Sequence, residues 1–207
     1  MNMAEAFSKI NEQRQKNGFF SIPELLELEA KGNLILDPFS TLISSSVEIG
    51  TDNKFYSGVI IETKNNGTIY IGNGNTFWPN SLIRAEYGKV QIGDSNQFGD
   101  GGVSIKANTK QSNIHIGDHG RYINGVQILG CSYLGSCSQV IGNITVQDCH
   151  LDEGESFMNS DPDVRGGVLK GYGLARNIRV KTGMVINGQG VFTQENMIKQ
   201  SFFHPIK

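Results

Sequence analysis

The chain has 207 residues, the size of one domain or of one domain with appendages. Its 18 Lys and Arg against 20 Asp and Glu leave a net charge of −2, so no basic field calls for a nucleic acid or a membrane surface. Glycine is abundant, at 26 residues, but a Gly-X-Y period is absent, and ordered recurrence of Ile and Val argues against disorder. No apolar run is long enough for a transmembrane helix, and Met1 to Phe20 lacks the apolar stretch of a secretion signal. The three cysteines, Cys131, Cys137 and Cys149, are odd in number and match no common zinc spacing. Free thiols in a cytoplasmic protein are therefore expected.

In chain order, Ala4 to Gln15 has the spacing of a short amphipathic helix with Phe7 and Ile10 on one face, broken at Gly18. Ser21 with Glu24 three residues on forms a capping-box signature for a second helix that stops at Gly32. Its Leu25, Leu26 and Leu28 would cover an open end of the structure that follows.

That structure is announced by a repeat. The chain reads Val47-Glu48-Ile49-Gly50, Ile69-Tyr70-Ile71-Gly72, Val90-Gln91-Ile92-Gly93 and Ile114-His115-Ile116-Gly117, with a degenerate copy at Ser132-Tyr133-Leu134-Gly135. Three residues past each glycine stand Asn53, Asn75, Asn96, Gly120 and Ser138. Five past it stand Phe55, Phe77, Phe98, Tyr122 and Val140. Such columns predict a solenoid in which each row is one turn, alternate apolar residues point inward and like stacks on like. The aromatic column becomes an internal ladder. The Asn column is expected at corners, where Asn tolerates left-handed backbone and its amide can bond its neighbour in the stack.

After the coils, Asp152 to Glu155 is acidic and Asn159 to Gly167 reads as a loop. Ile178 to Val180 and Met184 to Ile186 could form a hairpin around Lys181-Thr182-Gly183. The stretch from Gly166 to Lys181 is basic and Gly-rich. It is either an irregular last coil or a place where backbone N–H groups and cations meet phosphates. The tail from Gln200 to Pro205 ends in apolar residues that would dock on a coil or a neighbouring subunit. The expected organisation is a helical cap over residues 1–45, coils over 46–151 and a C-terminal extension over 152–207.

The rows resemble the hexapeptide repeat of left-handed parallel β-helix proteins, in which an aliphatic residue precedes Gly and a small residue follows. The resemblance is densest in Tyr133 to Gly142 and covers residues 46–151. It implies an all-β fold, a left-handed parallel β-helix with short N-terminal helices and an irregular C-terminal extension. A right-handed β-helix is the alternative. Flat solenoid faces bury apolar surface against copies of themselves, so a homotrimer is expected.

Many members of that family are acyltransferases, in which a His acts as general base on the acceptor and acyl-CoA lies between two β-helices. The resemblance therefore implies acetyl-CoA as co-substrate and a sugar, amino sugar or related metabolite as acceptor; the charge balance separately leaves neither nucleic acid nor membrane expected as partner. His119, in Ile116-Gly117-Asp118-His119, stands where a subset of these enzymes carries its catalytic His. Asp52, Gly74, Ser95 and Cys137 hold the equivalent places, so the turn itself does not demand His; the other reading is an exposed turn residue. His115, between two inward Ile, should face outward and is the second candidate. His150 and His204 carry less of the argument. Lys170, Arg176 and Arg179 are the candidates for CoA phosphates. Trp78, Arg84 and Lys106 are candidates for acceptor contact, with subunit packing and salt bridges as the other readings. The Gly-Asn-Pro-Ala ending of the acetyltransferases is absent, which keeps a non-catalytic trimeric scaffold or binding module open. The γ-class carbonic anhydrases share the fold, but Asn124 and Leu129 stand where their zinc-binding His would be, so no metal is expected.

Overall fold

The computed structural model describes residues 2–205. Short strands follow one another around a three-faced coil, and each pairs in parallel with its equivalent one coil later. The first face runs from Leu34–Ile35 through Lys54–Phe55, Thr76–Phe77, Gln97–Gly99 and Arg121–Ile123 to Gln139–Ile141. The second runs from Leu42–Ile43 through Ile60–Thr63, Leu82–Ala85, Val103–Ala107 and Val126–Leu129 to Ile144–Gln147. The third runs from Glu48–Ile49 through Thr68–Ile71, Lys89–Ile92, Asn113–Ile116, Tyr133–Leu134 and His150–Leu151 to Arg179–Val180. The chain is thus a parallel β-solenoid.

Parallel pairing begins at Leu34 and continues past Leu151, so the stacked coils reach beyond the span of the visible repeat. The repeat fades at the end because Val168–Arg176 turns the corner between two faces within one strand. Its first residues pair with Gln139–Ile141 and its last with Ile144–Gln147. Gly171 and Gly173, at φ 117° and 125°, make that bend possible, and any Cβ there would collide with Gly188 or Gly190 of the next strand. Met184–Val191 then pairs in parallel along this bent strand. The hairpin expected around Lys181-Thr182-Gly183 does not form. Arg179–Val180 and Met184–Val191 each join their own face, and the turn at Gly183 carries the chain from one face to the next. One antiparallel strand, Met197–Lys199, folds back on Met184–Ile186.

The interior is built from columns. Phe55, Phe77, Phe98 and Tyr122 are fully buried and stack at ring separations of 5.1, 5.1 and 5.4 Å, the spacing of neighbouring strands. The Asn column is buried as well, beginning at Asn33. The left-handed corner is held by the residue before it: Asp52, Gly74, Ser95, His119 and Cys137 all have φ between 57° and 66°. Each Asn Oδ1 accepts from the backbone and side-chain N–H groups of the next Asn, at 2.9–3.1 Å. Each Nδ2 also donates to the carbonyl of a repeat glycine, as Asn75 does to Gly93 at 2.9 Å. The column satisfies buried corner backbone that no strand pairing reaches. It ends at Gly120, whose N–H still donates to Asn96 Oδ1 at 2.7 Å. There the Tyr122 hydroxyl fills the missing side chain's place and bonds Ser138 Oγ at 3.1 Å. Burial pushes the Tyr122 phenol pKa far above its ordinary value, so the hydroxyl keeps its proton. Outside this column, Asn73, Asp94, Asp118 and Ser136 accept from the backbone of the coil before, as expected of turn-forming residues.

The N-terminal end is covered by helices Met3–Lys16 and Ile22–Glu27, the second followed by a 3-10 turn to Lys31. The Ser21–Glu24 capping box forms, and Gly32 ends the turn in the left-handed region. Leu25 and Leu28 close the first coil, whereas Leu26 is exposed. In the first helix Ile10 is exposed too, and Arg14 is the residue that buries. Its guanidinium donates to the carbonyls of Phe20, Pro38 and Thr41 at 2.8, 3.2 and 2.6 Å. A solenoid's open end presents unpaired carbonyls, so a fork of donors fits there better than another apolar side chain.

Candidate functional site

The alternation that buries Ile114 and Ile116 turns His115 outward on the third face. Strand register stacks the outward positions into one column: Tyr70, Gln91, His115, Tyr133, His150 and Arg179. The rings of His115 and Tyr133 lie 4.9 Å apart at 7°, and those of Tyr133 and His150 lie 4.6 Å apart at 21°. The two imidazoles thus sandwich one phenol.

The C-terminal end of the column gathers charge. Asp152 follows His150 by two residues and faces the same way. Its Oδ1 meets His150 Nε2 at 3.0 Å and Arg179 Nη2 at 3.1 Å, while Arg179 Nε donates to the same oxygen at 3.2 Å. Together with Tyr133, Glu153 and Thr182 they line an open recess of about 310 Å³. The carboxylate takes a proton-bearing Nε2, which leaves His150 Nδ1 as the ring's acceptor. It also supplies a negative partner should the ring gain a proton, and Arg179 offers a cation beside it. Such a group can accept a proton from a hydroxyl or amine and return it.

The other expected residues are placed as follows. His119 is exposed on the corner that follows the third-face strand Asn113–Ile116, at φ 57°, and its backbone N–H donates to Asp94 at 2.8 Å. Its imidazole has no hydrogen-bond partner among the described residues. His115 and Arg179 belong to the recess column. Lys170, Arg176 and Arg179 do not converge. Lys170 stands on the first face, Arg176 on the second with its guanidinium on Gln147 Oε1 at 3.0 Å, and Arg179 on the third. Their closeness in sequence is lost because the bent strand and the following turn carry them around the coil. Arg84 and Lys106 occupy successive rungs of one second-face column, and Arg84 is paired to buried Glu62 at 2.7 Å, with Lys64 on the other oxygen at 3.0 Å. Trp78 stacks on Tyr56 at 4.7 Å on the first face and covers Gly99, where a Cβ would meet the indole stem. Asn124 lies in an exposed turn and Leu129 on the second face. No group of three or more His, Cys, Asp or Glu close enough to hold a metal occurs among the described residues.

Tyr133 and Asp152 are the functional candidates that sequence reasoning passes over. Positions 115, 133 and 150 do follow the coil length, which is the signal that could place them in one column. Arg179 is hidden because the insertion over residues 152–167 breaks that spacing. No helix among the described residues is long and apolar enough to cross a membrane. No protein-family model and no curated protein matches the chain.

Proposed function

We propose that the chain is a left-handed β-helix of the hexapeptide-repeat kind, assembled as a homotrimer. In this reading it transfers the acyl group of acetyl-CoA to a hydroxyl or amine of a sugar-like acceptor. The observation that carries the proposal is the row of imidazoles along one face, with His150 oriented by Asp152 at the mouth of a recess. The acceptor's O–H or N–H proton passes to an imidazole as its heteroatom bonds the thioester carbon. The C–S bond then breaks, and the proton returns to the departing thiolate. His119 is the base by family resemblance, and its unencumbered ring could reach across to a neighbouring subunit. His150 is the base that the carboxylate partner favours. Because Lys170, Arg176 and Arg179 leave one chain on three faces, a CoA phosphate would draw on Arg179 of one subunit and cations of the next.

A second reading, a trimeric binding module without catalysis, is favoured by one observation: the base-bearing recess is open to the surface, lined by two carboxylates, Asp152 and Glu153, beside the imidazole. Calorimetry with acetyl-CoA, with adenosine diphosphate as control, separates the two. Saturable binding at one site per subunit, together with a fall in turnover of about 10²–10⁴-fold in His119→Ala or His150→Ala, supports transfer. Absence of acetyl-CoA binding, or full turnover in both variants, ends that reading and leaves the binding module. Sedimentation that gives a monomer at working concentration refutes the trimer.

A further inference from the structure

Where residues 152–166 and the C-terminal tail fold over the first face, they enclose a cavity of about 230 Å³. Its floor is the outward side of the last coils, Ile141, Val168 and Val185, and Phe157 and Phe203 stand at its walls. Three permanent cations line it: Arg121, Arg165 and Lys170. No carboxylate does. Arg121 lies over the Phe157 ring at 4.4 Å and reaches Gln139 Oε1 only at 3.5 Å, and its Nε is buried without a partner. Arg165 is pinned by the Asn159 carbonyl through Nε and Nη2. Lys170 makes no ion pair among the described residues.

Gathering three cations on an apolar floor is unfavourable unless an anion joins them, and the net charge of the chain, −2, means that no overall excess of basic residues accounts for the cluster. The cations are held in place by neutral groups, a phenyl ring and carbonyl oxygens, which position them without neutralising them. Apolar lining with a few convergent charges is the pattern of a small-molecule site. We propose that this cavity binds a small organic oxyanion, a carboxylate or phosphate monoester carried on a compact apolar body. The headgroup lies between Arg121, Arg165 and Lys170, and the body packs on Ile141, Val168 and Phe203. The site lies within one chain and away from the third-face imidazoles, so it stands whether or not acyl transfer is the activity.

The test is titration calorimetry of the full chain with benzoate and phenyl phosphate, with benzyl alcohol and inorganic phosphate as controls. Saturable binding of either organic anion at one site per chain, tighter than both controls, is expected, and the tighter of the two names the headgroup. Lys170→Met should weaken it by about tenfold or more, and Lys170→Arg should restore it. Lys170 is exposed, so neither change threatens the fold. Failure of both organic anions to saturate, binding no tighter than that of the controls, or affinity unchanged in Lys170→Met would each overturn the proposal.

Discussion

The break in the asparagine column gives a sharp test of how the core is assembled. Gly120 and Tyr122 replace the Asn and Phe of the preceding coils as a pair. A Cβ at Gly120 would lie 2.3 Å from the Tyr122 hydroxyl, so Gly120→Asn overpacks the core at a cost of about 1–3 kcal/mol. Tyr122→Phe removes the bond to Ser138 and leaves that buried hydroxyl without its partner, a loss of about 1–2 kcal/mol. If the changes acted independently, the double variant would lose about 2–5 kcal/mol. It should instead recover. The Tyr122 ring is tilted 19° from Phe98, whereas the rings above lie within 7° of one another. A Phe can swing back into the ladder as Phe98 does beside Asn96, and an Asn at 120 can donate to Asn96 Oδ1 and accept from Ser138. Guanidinium unfolding of the four proteins, with equal slopes required before energies are compared, measures the coupling. A double variant within about 1 kcal/mol of the parent is expected, and additivity to within about 0.5 kcal/mol would refute this account of the core.

Three further outcomes follow from the same geometry. Arg14→Ala strips three backbone carbonyls of their donors and should cost about 2–4 kcal/mol, with proteolysis appearing first in the N-terminal helix; a protease-resistant helix would show that the guanidinium is dispensable. His119→Gly should keep stability within about 1 kcal/mol, since glycine suits φ 57°, whereas His119→Val should destabilise by about 1–2 kcal/mol; a Val variant as stable as the parent would contradict the corner geometry. Lys199, foremost, and then the Ser201 backbone hold the Asp163 carboxyl below its ordinary pKa. Its hold on the tail is therefore complete above the ordinary aspartate range and lost as pH falls through the lowered folded-state value. Tail proteolysis by an acid-active protease should rise only below that ordinary range in the parent, and Asp163→Asn should raise it at every pH. Identical profiles would refute the pairing.

The repeat made the architecture legible, because a solenoid's contacts are between equivalent positions one coil apart. Ile-Gly rows, the Phe column and the Asn column each state which residue stacks on which, and Ser21 with Glu24 states where the cap begins. Where the period is interrupted, sequence alone falls silent. The 152–167 insertion hides Arg179 beneath His150, and the glycine bend of Val168–Arg176 scatters Lys170, Arg176 and Arg179 over three faces. Arg14 shares the helix face of Phe7 and Ile10 by spacing, yet it is the guanidinium that is buried and Ile10 that is exposed, because the coil end needs donors rather than apolar cover. The cationic cavity depends on residues 121, 165 and 170 meeting under a returning tail, a contact set by long-range packing. Local pattern determines what repeats; tertiary structure alone decides what the departures from the repeat bring together, because those contacts join residues that share no period.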